Sequence, residues 1–453
     1  MRPLITPEEM RRVDAAATEP LTSIIERVGA LVAMHAIDMM GGTYGRRVVV
    51  LAGPGNNGAD GRAAARYLGR RGVRCTVLAT DETPGELPSC DLVIDGAFGT
   101  GLSRDFHAPV VDESSLVLSI DIPSGFDGLT GQAKGSPFRA HRTVVLDALK
   151  PGNLFEPARS ASGELRIIDI GLDATELIDP SSFKLEANDI AAWLPTPQPA
   201  THKWKSACWV VAGSPGMIGA AELTVRGAQR GGATYIRLSA PGVAAIAVTE
   251  AVVTAMTAAF DTEDAHRFAA MVVGPGLGRD ENHTEGLLNL MQRVELPLVI
   301  DADALWHLKD ADTASFLKRR VVPAVLTPHD GEFVRAFGFK PGTDRIEAAR
   351  FAAEESGCVV LLKGPTTVIA APGRPSYVMA EGDSRLATAG TGDVLSGLIG
   401  ALLARGMAPR EAAAAGAFVH ARAAAAGSRS GFVAGDLPRL LPVIFDDLVE
   451  LRD

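Results

Sequence analysis

The chain predicts an α/β fold divided between two domains. Short apolar runs alternate with glycine-rich loops and helical stretches, the rhythm of βαβ units around a parallel sheet. That rhythm stops in residues 174 to 206, where Pro180, Pro195, Pro197 and Pro199 crowd a stretch with no clear period, and then restarts. A length of 453 residues also exceeds one ordinary hydrophobic core. We therefore expect domains at residues 1–185 and 186–453, with 174 to 206 as linker and entry to the second.

Two helices open the chain. One starts at Thr6-Pro7-Glu8-Glu9, where a capping threonine, a proline at the first helical position and early acids are start signals, and another lies near Thr22 to Met40. Arg47 to Leu51 reads as a buried strand, followed by the loop GPGNNGADG (Gly53 to Gly61) and a helix from about Arg62 to Arg71. Strands are then expected at Cys75 to Ala79, at Asp91 to Ile94 before DGAFGTGL, and at Val117 to Ile120 before DIPSGFDG. Thr143 to Leu146 and Leu165 to Ile168 complete the first domain. In the second, Ala207 to Ala212 leads into GSPGMIGA and a helix through Arg230, and Thr234 to Leu238 follows. Met271 to Val273 precedes GPGLG, Leu298 to Ile300 precedes DADAL, Ala324 to Leu326 precedes TPHDGE, and Val359 to Leu362 precedes KGPTT. The tract Ala412 to Ala426 reads as packed helix, since alanine is the best helix former. The unusual residues all follow strand C-termini, which in an open parallel sheet share the edge where ligands bind. The two halves show no common period, so they read as unrelated domains rather than a duplication.

Composition narrows the function classes. Hydrophobic residues make up 47% and charged residues 22%, ordinary globular values. The net charge of −10 is shared evenly by the two halves, so neither is a nucleic-acid or anionic-membrane binder by bulk charge. Cys75, Cys90, Cys208 and Cys358 are scattered without a C-x-x-C pair, which argues against a zinc site and a disulfide framework and favours a reducing cytoplasm. The amphipathic start MRPLITPEEMRRVDAAA lacks an apolar signal core, and no apolar run approaches the roughly 18 residues of a membrane span. A soluble cytoplasmic protein is expected, with neither nucleic acid nor membrane as partner, and a homo-oligomeric state.

Two constellations carry chemistry. In the first domain Asn56, Asn57 and Asp60 share a loop with Gly53, Gly55, Gly58 and Gly61, while Asp95, Asp121 and Ser124 end two other strands. Such loops bind phosphates or a cation, and the oxygen-rich convergence suits a hard cation, K⁺, Na⁺ or Mg²⁺, better than a transition metal. The plainer alternative is that Asx and Gly residues merely make tight turns. In the second domain LATAGTGDVLSG, Leu386 to Gly397, places Gly390, Thr391 and Gly392 where a helix begins, with Val394, Leu395, Leu398 and Ile399 at inward spacing. Asp393 then faces the anion site. A carboxylate beside a phosphate is electrostatically unfavourable as a ligand but useful as a proton acceptor; the plainer alternative is an N-cap aspartate.

GPGNNGADG, DGAFGTGL and DIPSGFDG, in this order, resemble the YjeF N-terminal family, which includes the NAD(P)H-hydrate epimerases. The resemblance covers residues 1 to 185 and implies a Rossmann-like domain for NADHX and NADPHX, cofactors hydrated across the C5–C6 double bond of the nicotinamide ring. By this resemblance Asn56, Asn57, Gly58, Ala59 and Asp60, with Gly99, Thr100, Gly101, Leu102, Ser103, Arg104 and Asp105, form the hydrate-binding loops. Asp121 becomes the ligand-binding acid/base residue, and Asn57, Asp95 and Ser124 become K⁺ ligands. Ala59 departs from the family's usual glycine. The implied chemistry is expulsion of the C6 hydroxyl by the ring nitrogen's lone pair and return of water to either face.

The order KGPTT then TAGTGD resembles the ribokinase-like superfamily, in which the aspartate takes a proton from the accepting hydroxyl. With His202-Lys203, GSPGMIGA, GPGLG and TPHDGE added, the second half resembles the YjeF C-terminal family, the ADP- or ATP-dependent NAD(P)H-hydrate dehydratases. The resemblance implies hydrate contacts at Ala220, Gly278, His329 and Asp393, and nucleotide contacts at Lys363, Gly364, Pro365, Thr366, Thr367 and Gly392. For His329 the alternative is a satisfied structural histidine. Asp330 stands where proline is usual, Asp383-Ser384-Arg385 replaces the commoner Asn-Pro-Gly, and Trp204 takes a smaller or tyrosyl residue's place. Phosphorylation suits a dehydration because hydroxide, conjugate base of water with a pKa of about 15.7, leaves poorly. ADP is preferred over ATP as co-substrate, with Mg²⁺ on general phosphoryl-transfer grounds. The rival function is a kinase of a vitamin precursor or sugar, with a non-catalytic binding or scaffold domain ahead of it.

Overall fold

A computed structural model describes residues 1–102, 104–196, 202–243, 247–256, 260, 264–308, 313–322 and 324–452. The chain folds as two compact units, Arg2–Ser182 and Phe183–Asp453. Among the described residues no helix is long and apolar enough to cross a membrane.

The first unit begins with β1 (Arg2–Leu4) and α1 (Pro7–Ala16). The start of α1 follows its start signals: Thr6 Oγ1 accepts from Glu9 N at 3.1 Å, and Glu9 Oε2 accepts from Thr6 N at 2.8 Å. Then come α2 (Leu21–Met40), β2 (Arg47–Ala52), α3 (Asn56–Arg70), β3 (Arg74–Ala79), β4 (Leu92–Gly96), β5 (Phe106–His107) and β6 (Leu116–Ile120). They are followed by β7 (Gly135–Ser136), β8 (Arg142–Leu146), α4 (Ala158–Ala161), β9 (Glu164–Ile168) and α5 (Ala174–Leu177). The main sheet runs β3-β2-β4-β6-β8-β9 and its pairs are parallel. Alternate residues feed opposite faces. Val48, Val50, Ile94 and Leu118 pack under α2 and α3, and Val49, Leu51, Val93 and Val117 pack on the other side with Phe138. After β2 the chain goes to β3 on one flank and then to β4 on the other, so the crevice of a strand-order reversal opens between β2 and β4.

The helix after β2 begins at Asn56 rather than near Arg62, so Asn56, Asn57 and Asp60 stand on its first turns and not on a loop. The glycines that suggested a loop serve close approach: a Cβ at Gly58 would stand 1.9 Å from Gly53 O.

The second unit adds β10 (Ser182–Lys184), α6 (Ala187–Trp193), β11 (Ala207–Val211), α7 (Ile218–Arg230), β12 (Tyr235–Pro241), β13 (Val252–Met256), β14 (Ala270–Val273) and α8 (Thr284–Arg293). Its middle comprises β15 (Leu298–Ile300), α9 (Asp303–His307), α10 (Thr313–Lys318), β16 (Ala324–Leu326), α11 (Asp330–Phe337), α12 (Arg345–Ser356) and β17 (Val359–Leu362). It ends with β18 (Thr367–Ala370), β19 (Ser376–Met379), α13 (Thr391–Ala404), α14 (Pro409–Ala426) and α15 (Leu437–Glu450). The strand order is β10-β19-β18-β17-β16-β15-β14-β11-β12-β13, parallel from β17 to β13, with an antiparallel β17-β18-β19 meander that the strand rhythm did not announce. The order reverses between β11 and β14, and GSPGMIGA and GPGLG follow those two strands. The alanine tract is packed helix, with Ala412 to Ala415 fully buried.

The stretch read as a linker is largely folded. It contains α5, β10 and α6, and Leu185, Ile190 and Leu194 lie in the second unit's core. Elements this short show no period, which is why the sequence there reads as irregular. Pro197 and Pro199 lie outside the described residues.

Candidate active sites

The first site forms at the C-terminal edge of the β2, β4, β6 and β8 strands. Asn57, on α3, donates from Nδ2 to Ile120 O at 2.9 Å, which ties the helix start to the end of β6. Asp95, fully buried in β4, accepts from the Ser119 hydroxyl (2.9 Å), Ser124 N (2.8 Å) and the Ser124 hydroxyl (2.5 Å). Burial raises its carboxyl from the usual range, against the pull of those hydrogen bonds. Its partners are neutral donors, so a monovalent cation fits the chemistry of Asp95, Ser124 and Asn57: it would supply the positive charge this carboxylate otherwise lacks.

Asp121 ends β6 at φ 70°, a conformation that costs a non-glycine residue energy and is held by its surroundings. Its Oδ1 lies 2.5 Å from Lys150 Nζ and accepts from Leu146 N at 3.3 Å, and its main-chain oxygen accepts from Asn153 Nδ2 at 3.1 Å. Lys150 is 1% exposed. Asp60, 3% exposed, is pushed up to about 7, by burial first and by the Asp121 charge second. Burial also raises Asp14 of α1, with Lys150 opposing.

A cavity of roughly 510 Å³ collects these groups. It is lined by Asn56, Asn57, Asp60, Gly99, Thr100, Gly101, Leu102 and Asp121 from the expected loops, and by Asp14, Leu146 and Lys150, which sequence reasoning missed. Gly58 is buried beneath the helix start, and Ala59 is half-buried beside it without lining the cavity. Arg104 is exposed with its guanidinium over the Phe98 ring at 5.6 Å, and Asp105 is exposed, so neither joins the lining. Ser103 lies outside the described residues. The available signal for Lys150 was its place in DALKPGN, just past a strand end like the other motifs.

The second site is built on the start of α13. Gly390 caps the helix at φ 91°, and Asp393 stands in its first turn. Thr391 turns its hydroxyl inward to Leu386 O (2.8 Å) and Thr388 O (3.0 Å), so the backbone and not this side chain faces the anion site. His420, buried in α14, lies 2.9 Å through Nε2 from Thr391 O, and burial pushes it down to about 4. A neutral histidine that donates this bond fastens the anion loop without adding charge.

Asp301, which ends β15, organises the centre. Lys363 Nζ lies 2.7 Å from its Oδ1, and the Ser396 hydroxyl of α13 donates to its Oδ2 at 2.5 Å. A Cβ at Gly392 would stand 3.4 Å from Lys363 Nζ, so this ammonium points at the helix start. Burial opposes the Lys363 charge, but Asp301, Glu332 and Asp393 outweigh it and hold the lysine above its ordinary value. Asp393 is pushed up to about 7, by burial first and then by Asp301, Asp303 and Glu332, against Lys363. Asp301, Asp303, Glu332, Ser396 and His420 were not singled out from sequence. Asp301 had the strand-end signal of DADAL, and His420 that of a histidine set among the alanines of a helix.

The remaining expected residues surround this centre. Gly278 donates its N–H to Asp303 Oδ2 at 2.9 Å. Ala220, on the first turn of α7, lies 2.8 Å from where a Cβ of Gly276 would stand, in the same GPGLG loop. His329 caps α11: its Nδ1 accepts from Gly331 N (2.9 Å) and Glu332 N (3.2 Å), which leaves the proton on Nε2 and the ring exposed. It therefore has a structural task whatever else it contacts. In the loop from Lys363, Gly364 is half-buried, Pro365 is exposed at the tip, and Thr366 and Thr367 are buried.

The departures from the family pattern find partners. Asp330 pairs with Arg345 at 2.8 Å, and Arg345 donates to Lys363 O at 2.7 Å, which joins TPHDGE to KGPTT. Asp383 caps the turn 384–387, and Arg385 pairs with it while donating to Ala425 O and Gly427 O at the end of α14. Trp204 stacks on Tyr235 at 4.2 Å between centroids, with the Arg267 guanidinium 4.0 Å from its ring centre.

Comparison with known proteins identifies relatives of both units. The family model described as NAD(P)H-hydrate dehydratase matches residues 208–444, and that described as YjeF-related protein N-terminus matches residues 21–87 and 79–152. A bifunctional NAD(P)H-hydrate repair enzyme of Mycobacterium leprae is 39% identical over 413 residues, which cover 85% of this chain and 84% of that protein. One from Moorella thermoacetica is 33% identical over 520 residues, 99% and 97% of the two chains. The crystal structure of a Bacillus subtilis ADP/ATP-dependent NAD(P)H-hydrate dehydratase, co-crystallised with ATP/Mg²⁺, superposes with a TM-score of 0.52 at 28% identity, covering 58% of this chain and 97% of that one. A ribokinase-like superfamily protein of Enterococcus faecalis, 18% identical with a TM-score of 0.52 over 60% of this chain and 99% of that one, shares the second unit's fold.

Proposed function

This chain belongs to the family of bifunctional NAD(P)H-hydrate repair enzymes, and from that premise we propose how its two sites divide the work. It interconverts the R and S forms of NADHX and NADPHX and dehydrates the S form to NAD(P)H with ADP or ATP. We assign the first step to residues 1–185 and the second to residues 186–453.

In the first unit Asn56, Asn57, Asp60 and the 99–102 turn hold the hydrate, and Asp121 handles a proton at C6. The ring nitrogen's lone pair expels the C6 oxygen, and water returns to either face without net redox change. Asn57, Asp95 and Ser124 would hold K⁺, which when bound supplies fixed positive charge beside the buried carboxylate.

In the second unit the observation that carries the reading is Asp393 in the first turn of α13, poised near neutrality beside Lys363 and the Gly392 amide. Asp393 takes the proton of the C6 hydroxyl while the nucleotide's terminal phosphoryl passes to that oxygen. The helix start and Lys363 offset the charge on the transferred group, and phosphate then leaves with push from the ring nitrogen. Asp301 and Ser396 keep Lys363 aimed at that charge. Ala220, Gly278 and His329 border the hydrate, and the loop from Lys363 to Thr367 borders the nucleotide. Mg²⁺ carried on the nucleotide's phosphates would neutralise them. A reducing, cytoplasmic setting is supported by four free cysteines, three of them buried.

The test is recovery of NADH from mixed-epimer NADHX with ADP and Mg²⁺. Complete recovery is expected. Recovery that stops at the S fraction would refute the assignment to the first unit, and a stable phosphorylated product without NADH would refute that to the second.

A further inference from the structure

In the first unit's cavity one of the carboxyls that border the hydrate is also placed to take part in the chemistry. Asp60 is 3% exposed and lines the cavity together with Asp121 and Lys150. No described residue donates a hydrogen bond to it: burial and the Asp121 charge are what act on it. Its carboxyl opens on the cavity and takes no hydrogen bond from the described residues, so its partner there is water or a bound ligand. Asp121 is the opposite case, its Oδ1 fixed by Lys150 Nζ at 2.5 Å and by Leu146 N at 3.3 Å.

Epimerisation needs both kinds of group. Hydroxide leaves C6 only poorly, so the departing oxygen needs a proton, and the water that returns must lose one. The Lys150 ammonium already occupies Asp121 Oδ1, while no described residue occupies the Asp60 carboxyl. We propose that Asp60 is the catalytic acid of the epimerase site, protonating the departing C6 hydroxyl, while Asp121 takes the proton of the returning water. This rests on the epimerase reading of the first unit.

The steps balance. The Asp60 proton passes to the hydroxyl oxygen, the C6–O bond breaks with its electron pair leaving as water, and the ring nitrogen's lone pair forms the C6–N double bond. Water then bonds to the other face of C6, the π pair returns to nitrogen, and the surplus proton goes to Asp121. Water in the cavity carries it back to Asp60, so nothing is oxidised or reduced. With its carboxyl near 7, Asp60 keeps a proton for this purpose at neutral pH. The other charged groups that face the cavity are Arg11 and Asp14 of α1, Glu19, Asp121 and Lys150. Asp14 is the rival acid, since burial raises it too, but Lys150 works against it.

The experiment follows R-to-S conversion of NADHX by the full-length protein without nucleotide, so that the second site is idle. For Asp60→Asn we expect kcat to fall by about 100-fold or more, a much larger factor than the accompanying rise in KM. In the wild type kcat should decline as pH rises through about 7, because the acid loses its proton, and the residual activity of Asp60→Asn should lack that decline. Asp60→Glu should recover a measurable part of the rate. The proposal is overturned if Asp60→Asn keeps kcat within about threefold, if only KM rises, if Asp60→Glu is as inactive as Asn, or if Asp14→Asn rather than Asp60→Asn removes the alkaline decline. A wild-type protein that does not epimerise at all would instead refute the reading of the unit.

Discussion

Single carboxyls decide what this molecule can do at neutral pH, and Asp393 is the clearest of them. Three acids around one lysine leave an excess of negative charge, and burial adds to it, so the carboxyl stands at about 7. A base works only without its proton. The kcat/KM of dehydration should therefore climb as pH rises towards about 7 and flatten above it. Asp393→Asn should lower kcat by roughly 10² to 10⁴ and erase that climb from the residual rate. A pH series with S-NADHX and saturating ADP checks both, and a limb that survives in the Asn variant would assign it to another group. Asp393 was legible because glycine, threonine and aspartate at a helix start form a local pattern. Lys150 and Asp301 were not, since their importance lies in partners 29 and 62 residues away in the chain, which no local pattern contains.

At the scale of elements, both sites depend on helices that press against their neighbours through glycine. A Cβ at Gly397 of α13 would stand 1.9 Å from Thr224 O, and one at Gly227 of α7 would stand 2.2 Å from Val394 O. The two helices thus meet backbone to backbone within one turn of Asp393. Gly227→Ala should push α13 away, at a cost of about 1–3 kcal/mol or more, as overpacking of a rigid contact does. Dehydratase kcat should fall while nucleotide-free epimerisation stays at the wild-type rate, and calorimetry should register the loss in the second unit alone. An unchanged dehydratase would mean that the helix start tolerates the shift. The same economy explains an error of sequence reading. Gly58 and Gly61 lower helix propensity and look like a loop, yet they sit inside α3 because the helix begins hard against the ends of β2 and β4. Strand ends were legible throughout, because buried parallel strands are short apolar runs with motifs behind them. The β17-β18-β19 meander and the short elements of residues 174–206 gave no such contrast.

For the whole molecule, the residues named for each site belong, among the described residues, to a single unit. Asp60, Asp121 and Lys150 belong to Arg2–Ser182, and Asp301, Lys363 and Asp393 to Phe183–Asp453. Each unit has its own core, so loss of one site need not disturb the other. Full-length Asp121→Ala should then consume the S fraction of mixed NADHX with ADP and Mg²⁺ and stop there. Full-length Asp393→Asn should equilibrate the epimers and form no NADH. Mixed in equal amounts, the two variants should carry the whole substrate to NADH, because the hydrate released by one chain reaches the other through solvent. The mixture must be followed over a time short against uncatalysed epimerisation. Recovery in the mixture that halts at the S fraction, while the wild type goes to completion, would mean that the epimer is passed within a single chain and never freed. Two compact units, each supplying the named residues of one site, favour release.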